Sequence, residues 1–401
     1  MFGSIYSGYS GLVGFSKGLD VLSNNVANMN SPGFKASELS FRDLVYHYGF
    51  NGNNGGNSSL QIGGGVDPSS TRIRFRQGEL RETGNAMDAA IDGNGFFVLR
   101  KDGKTFYSRS GQFEFDASGV LVDQGSGAHV SSLVNGRLAD INLTGLRTSP
   151  PQPTSAVVFS GNLSRGGTTH SVSAITVIDG AGTSHALSMT FTNNNATITG
   201  SWLVEVRDEN NAVIATGEIR YQGNGSPDTG FNTVTFNYAP TGAPPSTVTL
   251  NFGDVGSFSG STNFSGGTTS DLKVQSQNGF GPGSLTEVTF DEDGRLVTKY
   301  SNAQTTKHDR IALAWFTDLQ HLTQTGKSLY ANDSDQAVTL DTPGNGMMGK
   351  LVPKKIELSN VELSEQFTDM VVIQRGYQAS SQIISVANEM IQQLFDIRAK
   401  R

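Results

Sequence analysis

Gly14-Phe15-Ser16-Lys17-Gly18 fits the G-x-S-x-G pattern that exposes a serine on a sharp strand-to-helix turn for nucleophilic catalysis. Here the pentapeptide lies inside an apolar stripe of helical spacing, so no strand delivers it to such a turn. Asp291-Glu292-Asp293-Gly294 begins like a calcium loop, but residues 298–302 supply no closing carboxylate and strand-like runs replace the flanking helices. Asp92-Gly93-Asn94-Gly95 has the glycines of a phosphate cradle without the Lys-Ser/Thr and following helix that would complete it. The six histidines (His47, His129, His170, His185, His308 and His321) show no metal-binding spacing. The absence of cysteine excludes thiolate nucleophiles, thiolate metal sites and disulfides. No catalytic set, metal site or cofactor emerges, and the chain reads as a non-enzyme.

The elements that would have to position such groups point elsewhere. At 401 residues the prior is two or three domains. The net charge of −7 argues against a nucleic-acid partner, and no apolar run is long enough to insert in a membrane. Forty-nine glycines with only 16% charged residues favour turns and β-structure. The first twenty residues lack a basic n-region and a compact apolar core. The expectation is therefore a cytoplasmic chain, or one exported without a cleavable signal peptide.

Both ends carry long helical patterns. Ile5, Leu12, Phe15, Leu19, Leu22 and Val26 recur at 3–4 spacing near the start, and Leu363, Met370, Ile373, Tyr377, Ile384, Ile391 and Leu394 do so near the end. A second stripe, Phe367, Val371, Ile383, Met390 and Phe395, widens the second face beyond what one partner helix would cover. Asn24, Asn25, Asn28 and Asn30 crowd the first helix although asparagine is a poor helix former, and Ser31-Pro32-Gly33-Phe34 ends it.

Between the ends the pattern is β. Residues 51–65, rich in Gly and Asn, read as linker or exposed loop. FDASGVLV (115–122) and FDEDGRLV (290–297) share one hairpin plan, although they are far apart in the sequence. The expected architecture is mixed but mainly β, with discontinuous, nested domains. Residues 1–30 and 360–401 form a terminal helical domain whose helices pair as a coiled coil, and 31–71 are a linker or extended segment. Residues 72–149 and 273–358 form a β-rich middle domain, into which 150–272 insert a second β-rich domain.

Three separated blocks then resemble the flagellar rod and hook family of axial proteins: Ser10 to Lys35 with its LDVLSNNVANMNSPGFK, residues 76–122, and residues 359–398 with Gln374, Arg375, Tyr377 and Gln378. Met29-Asn30-Ser31-Pro32 departs from the family's more usual small-residue/Thr turn. The resemblance implies a subunit that polymerises with itself into a helical tube. The inserted domain points to a bending, torque-passing joint in the extracellular flagellum rather than to its rod. The implied partners are distal rod, hook cap and hook–filament junction proteins and the export apparatus. Implied assembly residues are the apolar seams together with Asn24, Asn25, Asn28, Gly33, Phe34, Gln374, Arg375 and Gln378. A distal rod protein of the same family and a secreted β-rich adhesin remain the alternatives.

Overall fold

The computed structural model describes residues 2–44, 46–49, 60–334 and 336–399. The chain is mainly β with one helix at each end, α1 over Phe2–Ala27 and α2 over Leu363–Ala399. No proline interrupts either helix, and α1 stops where Asn28 and Ser31 turn the backbone towards Gly33. The segment expected to be linker carries four strands: Ser37–Asp43 pairs antiparallel with Val66–Ile73, and Tyr46–Gly49 with Leu60–Gly63. Residues 51–59, the middle of the Gly/Asn run, lie outside the described residues.

The chain divides into two units, one of 1–144, 288–297 and 307–401 and another of 145–287 and 298–306. The first holds both helices and a large antiparallel sheet around Phe96–Lys101, which pairs with Lys104–Ser108 on one side and His129–Val134 on the other. Phe96, Phe97, Val98 and Leu99 are all buried, because the strand has a core on both faces. Phe96, Tyr107, Phe316 and Tyr330 pack edge-on within one of those cores.

The second unit pairs a four-stranded antiparallel meander (Thr169–Ile178, Ser184–Asn193, Ser201–Arg207, Val213–Arg220) with a five-stranded sheet centred on Ala156–Asn162. Alternating side chains from both sheets fill its core, where Phe159 stacks on Phe252 at 4.9 Å and Phe191 meets Phe252 edge-on at 5.8 Å.

FDASGVLV and FDEDGRLV do form the same turn. Asp116 Oδ1 accepts from the Val120 amide at 2.8 Å, Asp291 Oδ1 accepts from the Arg295 amide at 2.8 Å, and Gly119 and Gly294 take the positive φ each turn demands. The same device recurs at Asp179, which accepts from Ala181 and Thr183, and at Asp208, which accepts from Asn210 and Ala212.

One of these turns carries a titratable lock. His185 Nε2 lies 3.0 Å from Asp179 Oδ2, its Nδ1 lies 3.4 Å from Glu209, and its ring meets Tyr238 edge-on. The hydrogen bond to Asp179 raises the imidazole pKa above its ordinary value, with Glu209 adding to it against the cost of burial. A raised folded pKa adds stability below the unfolded value of about 6.5 and loses it as pH climbs through the folded value. The second unit is therefore expected to melt at a lower temperature at pH 8 than at pH 6, and His185→Gln should flatten that slope. An unchanged slope in the variant would assign the pH dependence to another group.

Candidate functional site

The two helices lie antiparallel. Asn25 meets Gln366, Gly18 faces Ile373, Phe15 sits over Gly376, Gly11 faces Ser380 and Gly8 faces Ile384. A methyl group on Gly11 would come 2.6 Å from Ser380 Oγ, and one on Gly376 would come within 2.5–2.8 Å of three atoms of the Phe15 ring. Glycine thus sets how closely the backbones approach. Leu22 is buried, and Ile5, Leu12, Phe15, Leu19 and Val26 are half-buried in or beside this contact.

On α2 the inner row is Gln366, Met370, Ile373, Gly376, Ser380, Ile384, Ala387 and Ile391, all buried or half-buried. Of the residues expected in this seam, Leu363, Tyr377 and Leu394 are instead exposed at 39, 43 and 50%. A straight helix drifts about 20° per heptad against a 3.5-residue repeat, so Gly376 takes the place counted for Tyr377. Leu394 lies past the start of α1, which runs out opposite about residue 389. The second stripe also divides. Phe367 and Val371 lie to one side of the inner row, and Ile383 and Met390 to the other, in a row with Val372, Ala379, Val386 and Ile397. Its large apolar side chains, Val372, Ile383, Val386, Met390 and Ile397, are each at least 45% exposed.

The asparagines part company. Asn25 is 1% exposed: its Nδ2 donates to Gln366 Oε1 at 2.8 Å and to Ser37 O at 2.7 Å, and its Oδ1 accepts from the Ser37 amide. One amide therefore fixes α1, α2 and the strand Ser37–Asp43 together, much as a buried Asn fixes register in a coiled coil. Asn28 Nδ2 donates to the carbonyl and side-chain oxygens of Asn24, and Ser31 Oγ donates to Asn28 Oδ1. Phe34 is buried. Gln374, Arg375 and Gln378 are exposed, and their side chains make no hydrogen bond among the described residues.

Sequence reasoning missed the junction that anchors this helix pair. Glu357, fully buried six residues before α2, accepts at Oε1 from Lys35 Nζ and from the Gly78 amide (2.8 Å), and at Oε2 from Arg109 Nη1 (3.2 Å). Lys35 is also fully buried and donates to Arg76 O at 2.9 Å, while Arg109 Nη2 reaches Gly93 O at 2.8 Å. Burial pushes the pKa of both cations down, and the shared carboxylate holds them up against it. Asn360 adds a polar tie, its Oδ1 accepting from the Ala36 amide and its Nδ2 donating to the carbonyls of Arg74 and Arg76. Lys35 in SPGFK was the available signal, since a charged residue closing an apolar turn asks for a buried partner. Nothing in the sequence named Glu357 as that partner.

Among motifs weighed for chemistry, Ser16 is exposed in the middle of α1, with Gly14 and Gly18 packed against Phe41 and Ile373. Asp291 divides its oxygens between Arg295 and Lys307. Gly93 serves Arg109 and Gln77.

Three family models match separate stretches: one described as flagella basal body rod protein over residues 5–35, one as flagellar hook protein FlgE/F/G D1 domain over 90–158, and one as flagellar basal body rod FlgEFG protein C-terminal over 353–397. The chain is 30% identical to the flagellar hook protein FlgE of Escherichia coli (strain K12), over 97% of this chain and 98% of that one. It is 28% identical to the FlgE of Treponema pallidum (strain Nichols), over 99% of this chain and all of that one. A crystal structure of Helicobacter pylori flagellar hook protein FlgE2 aligns with 69% of this chain and 98% of its own length, at a TM-score of 0.47 and 14% identity.

Proposed function

The chain belongs to the flagellar hook protein family and is a hook subunit, and from that premise we propose that α1 and α2, paired as a coiled coil, form an incomplete core that other copies finish. The observation that carries this is the outer row of α2. Val372, Ile383, Val386, Met390 and Ile397, with the seam residue Leu394 exposed beside them, are 45–65% exposed and run for about 38 Å at 1.5 Å per residue. No soluble monomer gains by presenting such a row to water. Burying the exposed half of six such side chains contributes about 5–9 kcal/mol at the usual 1.5–3 kcal/mol per full side chain. That is comparable with the 4–15 kcal/mol cost of association, so a single pairing is near break-even. Contacts to several neighbours at once would tip the balance, as in an open helical tube.

On this reading the termini stay unfolded in the free chain and fold on assembly, which suits export without a cleavable signal. Discontinuous domains nest around them: a middle β-domain of about 72–149 and 273–358, and an inserted outer β-domain of about 150–272. Polar sheet faces between copies would slide as the tube bends, so the polymer passes torque while curving. Its ends would meet distal rod, cap and hook–filament junction proteins.

The test is Ile383→Glu, which places a carboxylate in the outer row, where Ile383 is 47% exposed and its Cγ2 lies beside Gly8 of α1. Negative-stain microscopy of the concentrated parent chain should show tubes of uniform width, and the variant should remain monomeric in sedimentation with both β units folded. Tubes from the variant at the parent's concentration would remove the helices from the interface.

A further inference from the structure

Asn24 and Asn28 do not enter the helix contact; they wall a cleft of ≈ 310 Å³ whose opposite side is the hairpin joining strands Thr323–Gly326 and Leu329–Ala331. That hairpin turns through Lys327 and Ser328, at φ +54° and +56°. Such a turn needs positive φ at both central positions and is normally filled by Asn-Gly or Gly-Gly. A lysine and a serine there hold a conformation that L-residues avoid. The surroundings impose it: Ser328 Oγ donates to Pro32 O at 3.0 Å, Ser328 O accepts from Ser108 Oγ at 2.9 Å, and Gln324 Nε2 donates to Lys35 O at 3.2 Å. Serine thus has a use at its position. Lysine has none inside the chain, since among the described residues its ammonium makes no hydrogen bond or ion pair. Across the cleft, Asn24 Nδ2 likewise donates to nothing described, whereas the carbonyl end of α1 is spent on the amides of Asn28 and Met29.

We propose that this cleft receives a carboxylate-bearing segment of a second copy of the chain, with the Lys327 ammonium binding the carboxylate and the Asn24 amide donating beside it. The donors left unspent on the two walls are of one kind, so their complement is an acceptor, and a charged one at the cation. A second copy is the occupant because the family assembles with itself and because the cleft opens at the foot of the helix pair that would be covered in the polymer. The inference rests on the polymer reading above and names a further contact within it. Lys327 holds a left-handed backbone that glycine would hold at lower cost, and its side chain lines the cleft.

Lys327→Gly separates the two roles. Relieving the left-handed strain should leave the unfolding midpoint at or above the parent's. The critical concentration for tube formation, read by sedimentation, should nevertheless rise about fivefold or more, as for loss of one charged contact. Lys327→Arg should assemble like the parent, and raising salt should weaken assembly of the parent more than of Lys327→Gly. A Lys327→Gly chain that polymerises at the parent's concentration overturns the proposal. If it does so while Ile383→Glu stays monomeric, the polymer reading stands and only this contact falls. If both variants form tubes, the placing of the outer helix row at the interface falls with it.

Discussion

Glu357→Ala is expected to cost the first unit about 3–5 kcal/mol, the range for removing one partner from a buried ion cluster. Among the described residues the carboxylate is the only anion hydrogen-bonded to two buried cations, so its loss leaves Lys35 and Arg109 facing each other with the Gly78 amide unpaired. The two tryptophans allow a clean measurement, because Trp202 belongs to the second unit and Trp315 to the first. In a Trp202→Phe background, denaturant unfolding followed at Trp315 reports the first unit by itself. Adding Lys35→Met to Glu357→Gln should recover about half of the loss, because the surviving polar groups then carry one charge fewer. A change below about 1 kcal/mol for Glu357→Ala would mean that water reaches the site and screens the cations.

Gly33→Ala is the second large effect. Gly33 has φ +69°, and a methyl group there would lie 2.3 Å from Ser110 N, 2.6 Å from Arg109 C and 2.9 Å from Ser110 Cα. All three are backbone atoms and cannot rotate away. The left-handed conformation costs about 1–2 kcal/mol for alanine, and overpacking adds about 1–3. The 32–35 segment should therefore lift from the sheet and take the Lys35 side chain with it. Trypsin reads this directly: the bond after Lys35 is protected while its side chain is fully buried, and it should be cut early in the variant while the β units survive. Equal protection in parent and variant would show that the backbone of residues 109–110 gives way instead.

How much of this was legible beforehand differs by element. Both helices could be read because 3–4 apolar spacing without proline is a local signal, and the Asp-x-x-Gly turns could be read because the side chain bonds within its own turn. The inner row of α2 was readable only approximately, since the helix phase against α1 depends on Gly376 making room for Phe15. That fact belongs to the pair rather than to either sequence. Asn25 was flagged by its cost to the helix, and its buried bonds to Gln366 and Ser37 account for that cost. The Lys35–Glu357–Arg109 cluster was not legible, because its members are separated by 74 and 248 positions or more and share no pattern of spacing. The excursion of residues 298–306 into the second unit likewise leaves no compositional mark.

The Lys35–Glu357 bond spans 322 positions of chain. Drawing together ends that far apart from a random coil costs about 5 kcal/mol in closure entropy before any constant is added. The charge cluster can therefore close only after the sheets between have shortened the path. A chain that emerges head first holds Lys35 from the beginning, yet must wait for nearly nine-tenths of its length before the answering carboxylate arrives. A fragment ending short of that point carries two like charges with nothing to neutralise them, and its leading helix has no seat. Docking of the head thus reports that the tail has been delivered.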